Sequence, residues 1–267
     1  MFHKIGFIGT GTMGSAVASA VSKSGMSAQI MLANRTPAKA QALSAQIPHS
    51  TPCSNQQIAA DCDLIFLGVK PQMMADMLTD LQETLKGRKT PFVLASMAAG
   101  LSCARIREMA QVSCPVIRMM PNTPASIGKG VIQYCGLDTS AEQLEDFAAL
   151  LAPAGLVDPI DEKLMDAASC VSGCGPAFAY LFAEALADGG VACGLPRDKA
   201  LRYAAQMLEG SAAMILASGQ HPGALKDAVC SPGGTTIQGV RALEEQGFRA
   251  AAMDAVIRAY EKTKSLG

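Results

Sequence analysis

The chain has 267 residues, of which 49% are hydrophobic and 17% charged, with a net charge of −1. That length accommodates one or two domains with a sizeable core, and the composition excludes a disordered polyelectrolyte. The near-zero charge offers no basic field for nucleic acid and no acidic tail for a basic partner.

The first half alternates between two patterns. Apolar runs over 4–8, 29–33, 63–69, 91–95 and 115–119 read as strands. Helical stretches lie between them, over 13–24, 37–46, 71–85 and near 103–109. Continuous apolar strands separated by helices imply a parallel sheet covered on both faces, so residues 1–160 are expected to form a doubly wound α/β domain.

After about Asp161 the strand signals stop. Phe178, Leu181, Phe182 and Ala185 recur at helical spacing, as do Leu201, Ala204, Ala205, Leu208, Ala212 and Ile215. Residues 161–267 are therefore expected to be all-helical. One small domain has limited room to hide so many stripes, which leaves either core packing or a second subunit to cover them.

No uninterrupted run of ~18 apolar residues is present, and glycines break the first apolar segment, so neither a membrane span nor a signal peptide is expected. The expected location is the cytoplasm. Nine cysteines are scattered without a C-x-x-C pair, and they are expected to be reduced core residues rather than disulfides or a zinc site. Three histidines, His3, His49 and His221, argue against a mechanism built on a histidine cluster.

The sequence Gly9-Thr10-Gly11-Thr12-Met13-Gly14 follows the first strand and opens a helix. In that context G-x-G-x-x-G is a dinucleotide signature. Gly9 permits the tight turn, Gly11 the approach of a pyrophosphate, and Gly14 close packing of helix on strand. At the end of the second strand, where a carboxylate would select NAD, stands Asn34-Arg35-Thr36. A guanidinium there favours an anionic 2′-phosphate, hence NADPH, with NADH the weaker alternative. Val69-Lys70-Pro71 and Ser96-Met97-Ala98-Ala99-Gly100 end further strands and face the same crevice in a doubly wound sheet.

In the second half, Ser231-Pro232-Gly233-Gly234-Thr235-Thr236 combines backbone amides, hydroxyls and a helix start. Such a nest suits a carboxylate. Ser172-Gly173-Cys174-Gly175-Pro176-Ala177 opens another helix with small residues.

Taken in order, and with Met120-Pro121-Asn122-Thr123-Pro124 and Gly194-Leu195-Pro196-Arg197, these motifs resemble the pyrroline-5-carboxylate reductases across essentially the whole chain. The resemblance implies a Rossmann domain followed by a helical dimerisation domain. It also implies an active site between the two, completed by a partner subunit, and dimers that assemble further into rings. The implied reaction is the NADPH-dependent reduction of 1-pyrroline-5-carboxylate to L-proline. Matching motifs place cofactor contacts at Ile8, Gly9, Thr10, Gly11, Thr12, Met13 and Gly14, and at Asn34, Arg35 and Asn55. Further contacts fall on Val69, Lys70, Pro71, Met97, Ala98 and Ala99. Substrate contacts fall on Glu162, Ser231, Gly233, Gly234, Thr235 and Thr236, with Thr236 matching the family threonine near the imine nitrogen. Two residues depart from the family pattern: Cys174 stands where serine is usual, and Cys230 where a hydroxyl residue is common.

Two rival readings remain. A reductase of β-hydroxy acids would want a helical lysine, for which Lys163, Lys199 and Lys226 are the candidates. A non-catalytic NADP(H) binder would need only the first half.

Overall fold

A computed structural model describes residues 2–26 and 28–265. The chain divides into two compact units: one runs to Cys174 and takes back the chain from Ala259, and the other is Gly175–Arg258.

The first unit opens with β1 (Lys4–Ile8), α1 (Thr12–Lys23), β2 (Gln29–Ala33), α2 (Pro37–Ser44), β3 (Ser50–Pro52) and α3 (Asn55–Asp61). It continues with β4 (Leu64–Leu67), α4 (Met74–Lys86), β5 (Val93–Ser96), α5 (Cys103–Ala110) and β6 (Val116–Pro121). It closes with β7 (Gly130–Leu137), α6 (Ala141–Leu151), β8 (Gly155–Pro159) and α7 (Met165–Ser172). The strands form one sheet in the order β3-β2-β1-β4-β5-β6-β7-β8.

The sheet departs from the all-parallel expectation at one seam. β3 to β6 pair in parallel, but β7 runs antiparallel to β6, and β8 then runs parallel to β7. Only a short 3₁₀ turn over Thr123–Ile127 separates β6 from β7. A parallel partner needs a crossover of a dozen residues or more, so the chain folds straight back.

Period-two alternation sorts the core onto two faces. Ile5, Phe7, Leu64, Phe66, Val93 and Ala95 join one cluster with Val17 and Val21 of α1 and Phe147 and Leu150 of α6. Ile8, Ile65, Leu67 and Leu94 join the other, with Ile58 of α3, Leu78 and Leu81 of α4, and Ile106 of α5. Phe7 stacks on Phe66 with ring centroids 4.6 Å apart, and Phe147 continues the stack at 5.9 Å. Helix starts are marked locally. Ser54 with Gln57 and Ser140 with Gln143 form reciprocal capping boxes at α3 and α6, and Ser102 caps α5.

Residues 161–174, expected with the helical region, pack with the first unit. Asn122, buried in the Met120–Pro124 motif, donates to the Ser172 carbonyl at 2.9 Å and accepts from the Val131 amide at 2.9 Å. Gln133 of β7 donates to Ser172 Oγ at 2.8 Å. The returning C-terminal segment brings Thr263 Oγ1 to 3.7 Å from Cys170 Sγ.

The second unit is built from α8 (Gly175–Ala192), α9 (Arg197–Ser218), α10 (Pro222–Ala228), α11 (Thr235–Glu245) and α12 (Phe248–Lys264), whose last residues rejoin the first unit. Phe182 of α8 and Phe248 of α12 pack ring to ring at 5.3 Å. Only Ala187, Ala200 and Ala204 of these helices are buried among the described residues. Tyr180, Leu181, Leu201, Met214 and Met253 are exposed, and Leu216 is 84% exposed. Within the stretch Glu162–Ala192 one 18-residue window reaches a mean hydropathy of 1.3, enough by length and composition alone for a membrane-crossing helix. The stretch is interrupted at Gly173–Cys174, between α7 and α8.

Candidate active site

The glycines of the first turn divide the labour. Gly9 has φ +102°, and a Cβ there would lie 2.6 Å from the Gly68 carbonyl oxygen. A Cβ on Gly14 would lie 2.1 Å from the Gly9 carbonyl oxygen, so α1 approaches the turn only because Gly14 has no side chain. A Cβ on Gly11 would meet nothing within 4 Å. The fold itself therefore leaves the space beside Gly11 open, which is what the approach of a pyrophosphate requires. No side chain caps α1, and its first turn carries no acidic residue. The amides of Thr12, Met13 and Gly14 precede the first helical bond, from Ser15 N–H to the Gly11 carbonyl at 2.9 Å. An uncapped helix start of this kind receives phosphate oxygens.

Gly68 was not among the expected site residues. A Cβ there would come within 2.5 Å of the Gly9 oxygen and 3.1 Å of Met97 Cε. It lets β1 and β4 end side by side at the point where the strand order reverses, the usual ligand crevice of a doubly wound sheet. The signal was one glycine at the end of a strand, too common to read without the partner it touches.

The expected cofactor residues all fall at the carboxyl ends of neighbouring parallel strands. Ile8 and Gly9 end β1, Asn34 and Arg35 follow β2, Val69 to Pro71 follow β4, and Met97 to Ala99 follow β5. Asn34 Nδ2 donates to Thr10 Oγ1 at 3.0 Å, while its Oδ1 accepts from the Thr36 amide at 3.0 Å. Asn34 thus braces the glycine turn against the end of β2, with one amide hydrogen to spare. Arg35 is exposed, and among the described residues its guanidinium forms no hydrogen bond or ion pair. It lines a cleft of about 470 Å³ together with Asn34, Pro37, Ser54 and Asn55. Lys70 is exposed and likewise makes no side-chain bond among the described residues. The Ala98 amide is held locally by Ser96 Oγ at 3.2 Å.

In the second unit, Ser231 to Gly234 form a tight turn closed by Gly234 N–H to the Ser231 carbonyl at 3.0 Å. Pro232 and Gly233, the latter with φ +69°, occupy its central positions as a type II turn demands. α11 starts directly after it, with no side-chain cap and no acid in its first turn. Thr235 and Thr236 are exposed, and among the described residues neither hydroxyl is hydrogen-bonded, nor is that of Ser231. Three free hydroxyls and an uncapped helix start converge on one exposed turn.

Glu162 is placed differently from the rest. Its Oε1 accepts from the Cys103 amide at 2.7 Å, at the start of α5, and stands 4.0 Å from Arg118 Nη1. Arg118 is 4% exposed and paired through Nη2 with Asp166. This group around a buried arginine escaped sequence reasoning, because a single arginine within a strand carries no spacing signal. Beside it the Cys103 and Cys135 thiols interact, which holds the Cys135 thiol below its ordinary pKa and pushes that of Cys103 up. Of the lysines a β-hydroxy-acid reductase would use, Lys226 is paired with Asp227 at 2.5 Å, which raises its pKa. A proton donor working near neutrality needs the opposite shift.

The comparisons with known proteins agree from end to end. Residues 162–266 match the family model described as pyrroline-5-carboxylate reductase dimerisation. Residues 4–98 match that of NADP oxidoreductase, coenzyme F420-dependent. The chain is 39% identical to pyrroline-5-carboxylate reductase of Escherichia coli (strain K12), covering 100% of this chain and 99% of the relative. It belongs to the pyrroline-5-carboxylate reductase family. Its likeness to the reductase of Pisum sativum is 40% identity over 99% of this chain and 96% of that one. The pyrroline carboxylate reductase structure from Plasmodium falciparum, with NADP bound, superimposes with a TM-score of 0.88 at 32% identity, covering 99% of this chain and 98% of that chain. As in other reductases of the family, a Rossmann half is followed by a helical half, and the helical half is the one matched to dimerisation. The exposed stripes of α8 and α9 belong to that half.

Proposed function

We propose that this chain reduces 1-pyrroline-5-carboxylate to L-proline with NADPH, as a cytoplasmic enzyme that self-associates through its helical half. The observation that carries the reading is the Ser231–Thr236 turn, an uncapped helix start with free hydroxyls in a chain that matches the reductases over its full length. The Gly233 amide and those of Thr235 and Thr236 at the start of α11 receive the substrate carboxylate. Thr236 hydrogen-bonds the ring nitrogen and sets the face that the imine presents.

The first unit holds the cofactor. Gly9 to Gly14 and the start of α1 take the pyrophosphate, Arg35 with Asn34 and Asn55 takes the 2′-phosphate end, and the segments at Val69–Pro71 and Met97–Ala99 line the crevice beyond. Bound there, NADPH supplies a hydride for the C=N carbon. The ring nitrogen of a protonated imine is already electron-withdrawing, so the chain needs no strong acid and its tasks reduce to positioning and charge. That fits a chain with three histidines. Glu162 contributes by holding the start of α5, by keeping negative charge beside Arg118 and by a contact to the substrate. A dimer is the unit of self-association in this reading, and rings of dimers extend it.

Loss of NADPH absorbance is the test, with purified protein, 1-pyrroline-5-carboxylate and NADH in parallel. Rapid oxidation that is faster with NADPH is expected. Oxidation with NADH preferred would keep the reaction and overturn the role of Arg35. Tight NADPH binding without turnover would favour a non-catalytic binder.

A further inference from the structure

Beside the segment that follows β5, three side chains of the first unit converge that no sequence spacing announces. Cys103 opens α5, Cys135 lies on β7 opposite Arg118 of β6, and Glu162 precedes α7. The two sulfurs and a carboxylate oxygen lie within 4.8 Å of one another. We propose that Cys103, Cys135 and Glu162 form a binding site for a thiophilic divalent cation of the zinc class.

The chemistry of the set is selective. Two thiolates and a carboxylate suit zinc and its softer neighbours, and exclude magnesium or calcium, which take oxygen ligands. In a tetrahedral site with Zn–S near ~2.3 Å, the two sulfurs stand roughly 3.8 Å apart, a separation within the 4.8 Å that bounds the cluster. Three protein ligands leave a fourth position open. An entry path exists, because Cys135 and Glu162 line a cleft of about 480 Å³ with Tyr134, Gly136, Leu144 and Pro159.

The outer partners are also in place. Glu162 is anchored by the Cys103 amide at 2.7 Å through one oxygen, which fixes the carboxylate beside the first sulfur. With the thiols protonated, Glu162, Asp166 and Arg118 leave one net negative charge around the cluster. Binding a divalent cation displaces one proton from each thiol to solvent, so two protons leave as two metal–sulfur bonds form. The earlier expectation against a zinc site rested on the missing C-x-x-C pair, but these ligands come from three elements spread over sixty residues of chain.

Titration of the full, reduced, chelator-treated chain with Co²⁺ and then Zn²⁺ tests the site. One ion per chain is expected, with a sulfur-to-cobalt charge-transfer band and protection of two of the nine thiols from a thiol reagent. Cys103→Ser and Cys135→Ser should each abolish the band and weaken Zn²⁺ by more than the ~10–100-fold that loss of an outer partner costs. Glu162→Gln, which keeps both thiols and an acceptor for the Cys103 amide, should retain the band with weaker binding. Cys193→Ser, at an exposed thiol, should change nothing. The site is overturned if folded wild-type protein takes up no stoichiometric metal, if the band survives Cys135→Ser, or if it is lost in Cys193→Ser. It is equally overturned if the two thiols vanish without metal and return with reductant, which would make the pair a disulfide. None of these readouts uses turnover, so their failure leaves the reductase proposal standing.

Discussion

The two units solve the burial problem in opposite ways. The first closes both faces of its sheet with its own helices, and Phe7, Phe66 and Phe147 are fully buried. The second buries three alanines among the described residues of its helices and leaves Leu181, Tyr180, Met214 and Leu216 in the open. At ~25 cal/mol per Å² of apolar surface, such stripes represent a large stabilisation that self-association of this half can realise. The lesson is that the cofactor half buries its core as a single chain, whereas the half that carries the turn proposed for the substrate does not.

The sharpest way to break this contrast is at the exposed stripe. Leu181→Asp combined with Leu216→Asp would place charges in the subunit interface, where desolvation costs several kcal/mol. The expected outcome is a monomer in light scattering at concentrations where the parent associates, with lost turnover but retained NADPH binding. A double variant that still associates would put the interface elsewhere.

A single-chain defect in the first unit should look different. Asp166→Asn leaves Arg118, 4% exposed and with its Nε already unpartnered, facing only Glu162 at 4.0 Å. Leaving a buried charge without its partner costs about 3 kcal/mol. Denaturant unfolding should show that loss independently of protein concentration, because the defect lies inside one subunit.

Thr236→Ala probes the exposed turn of the second unit. Its hydroxyl bonds nothing among the described residues, so its loss leaves the fold intact. Turnover should fall about 100-fold, the usual effect of removing one donor aimed at the reacting group, with unchanged NADPH affinity. Unchanged turnover would remove Thr236 from the mechanism.

How much of this was legible beforehand follows the same divide. The strand and helix alternation of the first half was readable, because each buried strand carries its own apolar run. The short β3 was not, nor were β7, α6 and β8 with the reversal at β7. A three-residue edge strand has no periodicity, and strand direction depends on connection length rather than on composition. The glycine turn was legible as a motif, whereas Gly68 became meaningful only once β4 was known to end against Gly9. In the second half the helical stripes were plain, yet the sequence left open whether they faced a core or a subunit. The Arg118–Asp166–Glu162 group stayed invisible, since its members are joined by the fold and not by spacing.

The glycines allow a finer comparison within the first unit. Gly14→Ala drives a Cβ to 2.1 Å from backbone oxygen, so the turn must shift. It should lose about 2 kcal/mol of stability along with cofactor affinity. Gly11→Ala meets nothing within 4 Å and keeps ordinary φ and ψ, so stability should change by less than ~1 kcal/mol while NADPH affinity still drops. Equal effects of the two on melting temperature would collapse the division of roles.

The smallest expected effect tests the cofactor preference. Arg35 is exposed and has no partner among the described residues, so removing it disturbs no ion pair of the folded protein. Its contribution should appear only when a 2′-phosphate is present. A charge-assisted bond of about 1.5 kcal/mol or more predicts that Arg35→Ala lowers the NADPH-to-NADH ratio of kcat/KM by roughly tenfold, entirely through NADPH. Because the site is open to solvent, raising the salt should shrink the parent's preference toward that of the variant. Arg35→Lys should fall between them, since it keeps the charge and loses the planar two-pronged contact. A ratio unmoved by Arg35→Ala would transfer the preference to Asn34 and Asn55 on the walls of the same cleft.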